Sequence, residues 1–353
     1  MSKYNKQLVR KHFDKQAGNY EQYAEVQALM AEELANRLPR ELPDHAEILE
    51  IGCGTGMLTR RLLRKYPNAR VTAVDLSQSM LDYARKAIEE LGEITSDGGP
   101  AHAGKLLERV DFREADIEVL AHQLAAADNR NFDLIVSSAA FQWLNDPEGT
   151  MGALLQLLRC KSDRHASPDQ QDEASGCHGA ILHAERTEGQ YSYSNVDPSV
   201  TTSSWMHGRD EGTGGQDSKG TKSGLYFATF GDRTFFELRQ SFTEAETELG
   251  LPGGSHTSEL LSGKQWTALF TRLHCSLSIT ERMEEVWFPN VRQFLRSVQR
   301  VGASHAPANG NDAAYPSGGK TLFRQMEQRY LRRYGSSPSG AIPATYHLIY
   351  GYV

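Results

Sequence analysis

The sequence predicts an α/β fold, a mostly parallel sheet with helices on both faces. Three observations carry this. Short apolar runs alternate with amphipathic stretches from Ile48 to Asp146, as strands do when helices connect them. A glycine-rich turn joins the first of these runs to a helical stretch, Glu50-Ile-Gly-Cys-Gly-Thr-Gly56. At 39% hydrophobic and 24% charged residues over 353 positions, the chain can also build a sizeable core.

Residues 1–45 read as a helical cap, with Val9, Phe13, Tyr20, Tyr23, Val26, Leu29, Met30 and Leu34 in spacing that is helical from Tyr23 onward, until Pro39 and Pro43 punctuate it. The core at 46–159 follows. Strands are predicted at 48–52, 71–75, 110–116 and 132–138, with helices at 57–66 and 77–91, the second capped by Ser77. The stretch between Gly92 and Glu108 reads as an enlarged loop.

Residues 160–222 hold no phenylalanine and few aliphatics, so they bury too little apolar surface to offset ordering entropy, and a mobile insertion is expected. Residues 223–288 resume the core with a strand at 225–230, helices at 237–249 and 265–273, and a strand-like alternation from Cys275 to Phe288. Two helices at 291–301 and 320–334 then form an expected lid, 289–340. A final strand, 341–353, closes the chain.

Composition excludes several classes. No apolar run approaches the ~18 residues of a membrane span, and the amino terminus has no apolar signal stretch, so a cytoplasmic protein without a membrane role is expected. Cys53, Cys160, Cys177 and Cys275 lack CxxC spacing and read as free thiols, with no metal site expected. A net charge of -7 gives no support to nucleic-acid binding.

The chemistry gathers at the strand ends. Gly52, Gly54 and Gly56 let the backbone turn tightly and approach a ligand. A dinucleotide loop would read GxGxxG against a pyrophosphate, whereas this one reads GxGxG after an acid, Glu50, ill-suited to a phosphate. Asp75 ends the second strand, nineteen residues beyond Gly56, where it can accept two ribose hydroxyls. Asp116 can receive an adenine amino group, Ile117 can pack on the ring, and Ser138 ends the fourth run. Alone, either aspartate equally suits a helix cap or a solvated turn. Together these groups fit a nucleoside with an amino-acid tail and no phosphate, which describes S-adenosylmethionine.

LEIGCGTG, VTAVDLSQSMLDYAR and FDLIVSSAAFQW resemble successive motifs of the class I methyltransferases, which implies a Rossmann-like fold with a seven-stranded sheet and a helical lid. On that resemblance the cofactor-binding candidates are Tyr20, Glu50, Gly52, Cys53, Gly54, Thr55, Gly56, Asp75, Leu76, Met80, Asp116, Ile117 and Ser138. Cys53 reads as a small residue packed under the ligand rather than a nucleophile. Tyr20 equally suits packing.

VRKHFDKQAGNYEQYAEVQ, ADIE at 115–118, FATFGDRTFFELRQSF at 227–242, WFPNVRQFLRSVQRVGASHA at 287–306 and the terminal ATYHLIYG resemble the malonyl-acyl-carrier-protein O-methyltransferases of biotin synthesis. The likeness spans nearly the whole chain except the insertion and the loop near 95–108. It implies methyl transfer to the free carboxylate of malonyl-phosphopantetheine on acyl carrier protein, with S-adenosylhomocysteine as the other product. Such a carboxylate is already ionised at neutral pH, so no general base is required, and alignment with exclusion of water does the work.

Arg292, Arg296 and Arg300, spaced four apart on one helical face, are candidates to orient the carboxylate; a solvated basic face is the alternative. Gln142 and Trp143 are expected to face the reacting methyl, although Trp143 also suits a core anchor. Tyr346 and His347 point to opposite faces of the last strand, so at most one faces the site. From Lys264 to Tyr334 eleven Lys and Arg stand against five Asp and Glu, a balance of +6 that leaves -13 elsewhere. A basic lid would steer an acidic carrier protein, with Arg324, Arg329, Arg332 and Arg333 as docking candidates. Rival readings are methylation of a free small acid or quinone precursor, and a non-catalytic sensor of the same cofactor.

Overall fold

The computed structural model describes residues 3–93, 106–127, 131–159, 224–254, 256–303, 319–336 and 340–353. The expected insertion at 160–222, with Cys160 and Cys177, and most of the loop expected near 92–108 lie outside the described residues.

Seven strands form one sheet: β1 (Glu47–Ile51), β2 (Arg70–Asp75), β3 (Val110–Glu114), β4 (Leu134–Ser138), β5 (Gly224–Phe230), β6 (Ser278–Phe288) and β7 (Ile342–Tyr352). Their spatial order is β3-β2-β1-β4-β5-β7-β6. β1 to β5 are parallel, whereas β7 runs antiparallel to β5 and β6. The order reverses between β1 and β4, which opens a crevice at their carboxyl ends, the usual ligand position in such sheets. Register sets Ile51 beside both Val74 and Ser137, so the residues that follow these strands converge.

The described helices are α1 (Lys6–Gln16), α2 (Tyr20–Tyr23), α3 (Glu25–Arg37), α4 (Met57–Lys65), α5 (Gln78–Glu93), α6 (Ile117–Ala126), α7 (Pro147–Gln156), α8 (Phe236–Leu249), α9 (Gly263–Arg272), α10 (Val291–Arg300) and α11 (Gly319–Tyr334). Alternation along the strands divides the core in two. Ile48, Val71, Leu134 and Val136 pack with Met30, Leu34, Leu62 and Ile88 of α3, α4 and α5. Leu49, Val74, Ile135 and Phe227 pack with Ala121, Leu154 and Trp266 of α6, α7 and α9. Such two-sided burial explains why the central strands are apolar at nearly every position.

α6 and α7 were not among the helices expected from periodicity. Each is instead announced by its cap: Asp116 Oδ1 accepts Glu118 N–H at 3.1 Å, and Asp146 Oδ1 accepts Gly149 N–H at 2.9 Å ahead of Pro147 at the first turn. A third apolar cluster joins Leu238 and Phe242 of α8, Val291 and Phe294 of α10, and Leu322, Met326 and Tyr330 of α11 to Ile342 and Ala344 of β7. The lid layer therefore contains α8 as well as the two late helices, because α8 buries its apolar stripe on them.

Candidate active site

The glycine loop leaves β1 with Gly52 at φ +67° and Gly54 at φ +54°, in the left-handed region that favours glycine. Gly52 and Cys53 both donate to Val74 O, at 2.8 and 3.1 Å, which pins the loop to β2. A Cβ at Gly52 would lie 2.3 Å from that of Ala140, so the loop also abuts the segment after β4. Nothing lies within 4 Å of a Cβ at Gly54, which opens toward the cleft.

Two carboxyls flank this loop. Asp75 accepts Gly54 N–H and Ser77 N–H, each at 2.9 Å, and burial pushes its pKa up to about 6. Glu50 is 1% exposed, its Oε2 has no hydrogen-bond partner, and burial pushes its pKa up to about 8. Ser138 Oγ is likewise buried without a partner. Cys53 is buried with its thiol pKa raised well above normal by burial, so it packs as a neutral side chain.

The amino-terminal helices are clasped over these strand ends. Ser77 Oγ donates to Asp14 Oδ1 at 2.6 Å, and Arg10 meets Glu114 at 2.5 Å. Thr55 Oγ1 donates to Glu21 Oε1 at 2.7 Å, and Arg60 reaches the same oxygen at 2.9 Å. Thr55 thus fastens the cap to the loop. Lys6 lies 2.6 Å from Glu118 and 3.4 Å from Asp116. Asp14, Glu21 and Lys6 were missed in the sequence because their partners lie far along the chain.

Lys6, Val9, Phe13, Tyr20, Gly52, Gly54, Asp75, Leu76, Met80, Asp116, Ile117, Ser138 and Trp143 line one cleft. Expected candidates from four separate strand ends therefore meet around one space. Asp116 serves there as both helix cap and cleft residue, and Lys6 already occupies part of its carboxylate. Phe13, Tyr20, Ala139 and Trp143 also line an adjoining chamber of about 280 Å³, so they stand between the two spaces. Trp143 meets Tyr4 and Phe13 edge-on, at 5.4 and 5.9 Å between ring centroids. Gln142 lines the chamber with both ends of its amide engaged: Nε2 donates to Ala139 O at 2.6 Å and Oε1 accepts from Thr229 Oγ1 at 3.1 Å. Tyr346 faces the chamber, whereas His347 is buried against Glu281 at 2.6 Å.

The lid arginines are a correction. Arg292 pairs with Glu327 at 3.0 Å, Arg300 lies over the Tyr23 ring at 4.4 Å, and Arg296 is exposed; none lines the chamber. α10 presents Phe294, Leu295 and Val298 there instead. The arginines do share a face, but it is the face roughly opposite the apolar stripe that docks the helix. Of the proposed docking residues, Arg329 pairs with Glu248 and Arg333 with Glu244 of α8, while Arg324 and Arg332 are exposed.

A family pattern described as a methyltransferase domain matches residues 48–161. A malonyl-acyl-carrier-protein O-methyltransferase of Priestia megaterium is 30% identical, the match covering 98% of this chain and 96% of that one. The chain belongs to that family. The enzyme of the same name from Halalkalibacterium halodurans is 29% identical over 98% of this chain and 97% of its own. Among solved structures, the YcgJ protein of Bacillus subtilis aligns over 92% of this chain and 96% of its own at 12% identity, with a TM-score of 0.45. The protein is an S-adenosylmethionine-dependent methyltransferase with the Rossmann-like fold of class I.

The residues present suit that cofactor. Asp75 can turn from its two backbone donors toward ribose hydroxyls, and Leu76, Met80 and Ile117 supply an apolar slot for a base. Ser138 Oγ, buried without a partner, lines the cleft together with Gly54, where a polar tail would satisfy it, whereas Glu50 is buried outside that lining. Among the described residues no group of acids, histidines or cysteines could hold a metal, and no helix is long and apolar enough to cross a membrane.

Proposed function

We propose that this methyltransferase converts the free carboxylate of a malonyl thioester on acyl carrier protein into its methyl ester, the reaction that would start the pimeloyl chain of biotin. The observation that carries this reading is the second chamber: it adjoins the cofactor cleft across Phe13, Tyr20, Ala139 and Trp143, and Phe230, Phe235, Leu238, Phe294, Leu295 and Tyr346 make it largely apolar. The names of the two bacterial relatives support the same substrate.

When bound, the cofactor supplies a methyl group on a positively charged sulfur. The chain's own part is to position and to dry. Asp75, Asp116 and Ser138 would hold the nucleoside and tail in the cleft. Phe13 and Trp143 wall the passage between the spaces and exclude water, which strengthens attraction between a carboxylate and a sulfonium. Burial raises the Tyr20 hydroxyl pKa, so that group stays a neutral donor at the passage. No side chain needs to remove a proton, because a carboxylate acceptor carries none at neutral pH.

Incubating malonyl-carrier protein with the enzyme and S-adenosylmethionine is expected to add one methyl to the acyl group, read by mass spectrometry of the intact carrier. Turnover of free malonate or a quinone precursor in preference would replace this reading. Binding of cofactor without transfer to any acceptor would indicate a sensor.

A further inference from the structure

An anionic acceptor needs a positive or strongly donating partner inside the second chamber. Among the described residues that line it there is no Lys or Arg. His256 is the lining residue able to carry a positive charge. Its position is built with care: Nε2 lies 2.6 Å from Glu246 Oε1, and the ring stacks on Phe242 with centroids 3.7 Å apart and planes 9° from parallel. Glu246 is 5% exposed, and the same oxygen accepts Gly254 N–H at 3.0 Å, so the carboxylate is held as firmly as the ring it holds. A carboxylate accepts, so Nε2 must be the donor; in a neutral ring Nδ1 is then an acceptor, and only the doubly protonated ring offers Nδ1–H to a second carboxylate. A ring protonated on both nitrogens bridges two carboxylates and offsets their charges.

The segment is anchored near the passage between the spaces. Tyr4 Oη donates to Glu259 O at 3.3 Å, three residues beyond His256, and the Tyr4 ring meets Trp143 edge-on. Thr257, Ser258 and Leu260 line the same chamber. We propose that His256, braced by Glu246 and Phe242, receives the acceptor carboxylate, donating from Nδ1 to the oxygen that does not take the methyl. The assignment rests on the reading above that the acceptor is a carboxylate. Methylation removes the negative charge, so the same contact would weaken for the ester and favour product release.

The test compares wild type, His256→Gln, His256→Ala and Glu246→Gln for binding of malonyl-carrier protein and of its methyl ester. Affinity for S-adenosylhomocysteine serves as the control for folding. Wild type is expected to bind the acid about ten- to a hundred-fold more tightly than the ester, the range of a lost hydrogen bond to a charged group. His256→Gln and His256→Ala should lose that preference with nucleoside affinity unchanged, Glu246→Gln should lose part of it, and added imidazole should restore part of the His256→Ala activity. A His256→Gln enzyme that keeps the wild-type preference overturns the assignment. A wild-type enzyme that binds the nucleoside but adds no methyl to malonyl-carrier protein overturns the underlying reading, and the assignment with it.

Discussion

Glu50 is the residue whose charge is most at odds with its surroundings. Burial raises its pKa from 4.5 to about 8, so the folded protein holds that proton more tightly than the unfolded chain does. Stability from this group is full below about 4.5 and is lost as pH rises through about 8. Glu50→Gln removes the loss: its melting temperature should exceed that of the wild type at pH 8 and approach it at pH 5. Cofactor affinity should fall in the same variant. Asp75 has the same sign with a lower window, from 3.8 to about 6. A protonated Asp75 is a poorer acceptor for ribose hydroxyls, so nucleoside affinity measured by calorimetry should decline as pH drops through about 6. Glycines, acids and their strand-end positions were readable in the sequence because each depends on short spacing. The clasp of Glu21 on Thr55 was not, since 34 positions separate the pair and only folding brings them to 2.7 Å.

Single elements show the same division. α10 was legible as a helix, but its arginines suggested a role at the acceptor that its packing reverses. Val291 and Phe294 are 3% and 0% exposed, so the apolar stripe is what faces inward. Truncating that anchor, Phe294→Ala, is expected to cost about 3–5 kcal/mol in denaturant unfolding. Arg300 acts at the element's outer edge, stacking on Tyr23 of α2 and bonding its hydroxyl. An exposed contact of this kind contributes about 0.5–1 kcal/mol. Arg300→Ala should therefore lower the unfolding free energy by about 0.5–1 kcal/mol in denaturant titration, and an unaltered midpoint would mean the α2–α10 contact contributes nothing to stability. α6 and α7 escaped notice for another reason. Their termini are marked by Asp116 and Asp146, and a cap residue is also what an ordinary turn uses.

At the scale of the whole molecule, the proposed carrier partner is acidic and the lid segment is basic. Two of its four docking candidates, Arg329 and Arg333, are engaged by α8, which leaves exposed Arg324 and Arg332 as the freer charges. Reversing both to glutamate should raise KM for malonyl-carrier protein and spare malonyl-coenzyme A. The carrier reaction should also slow as salt rises, since screening shortens the reach of surface charge to about 8–10 Å. Equal losses on both substrates would remove the docking role. By itself the sequence determined the alternation of strands and helices, the glycine loop and the acids that follow the strands, because periodicity and local spacing act through a few neighbouring residues. Only the tertiary structure decided which face of α10 turns inward, that α8 joins the lid, and that His256 rather than an arginine stands in the second chamber. Those outcomes depend on which apolar stripes bury one another between elements tens of positions apart or more, and no local pattern records that choice.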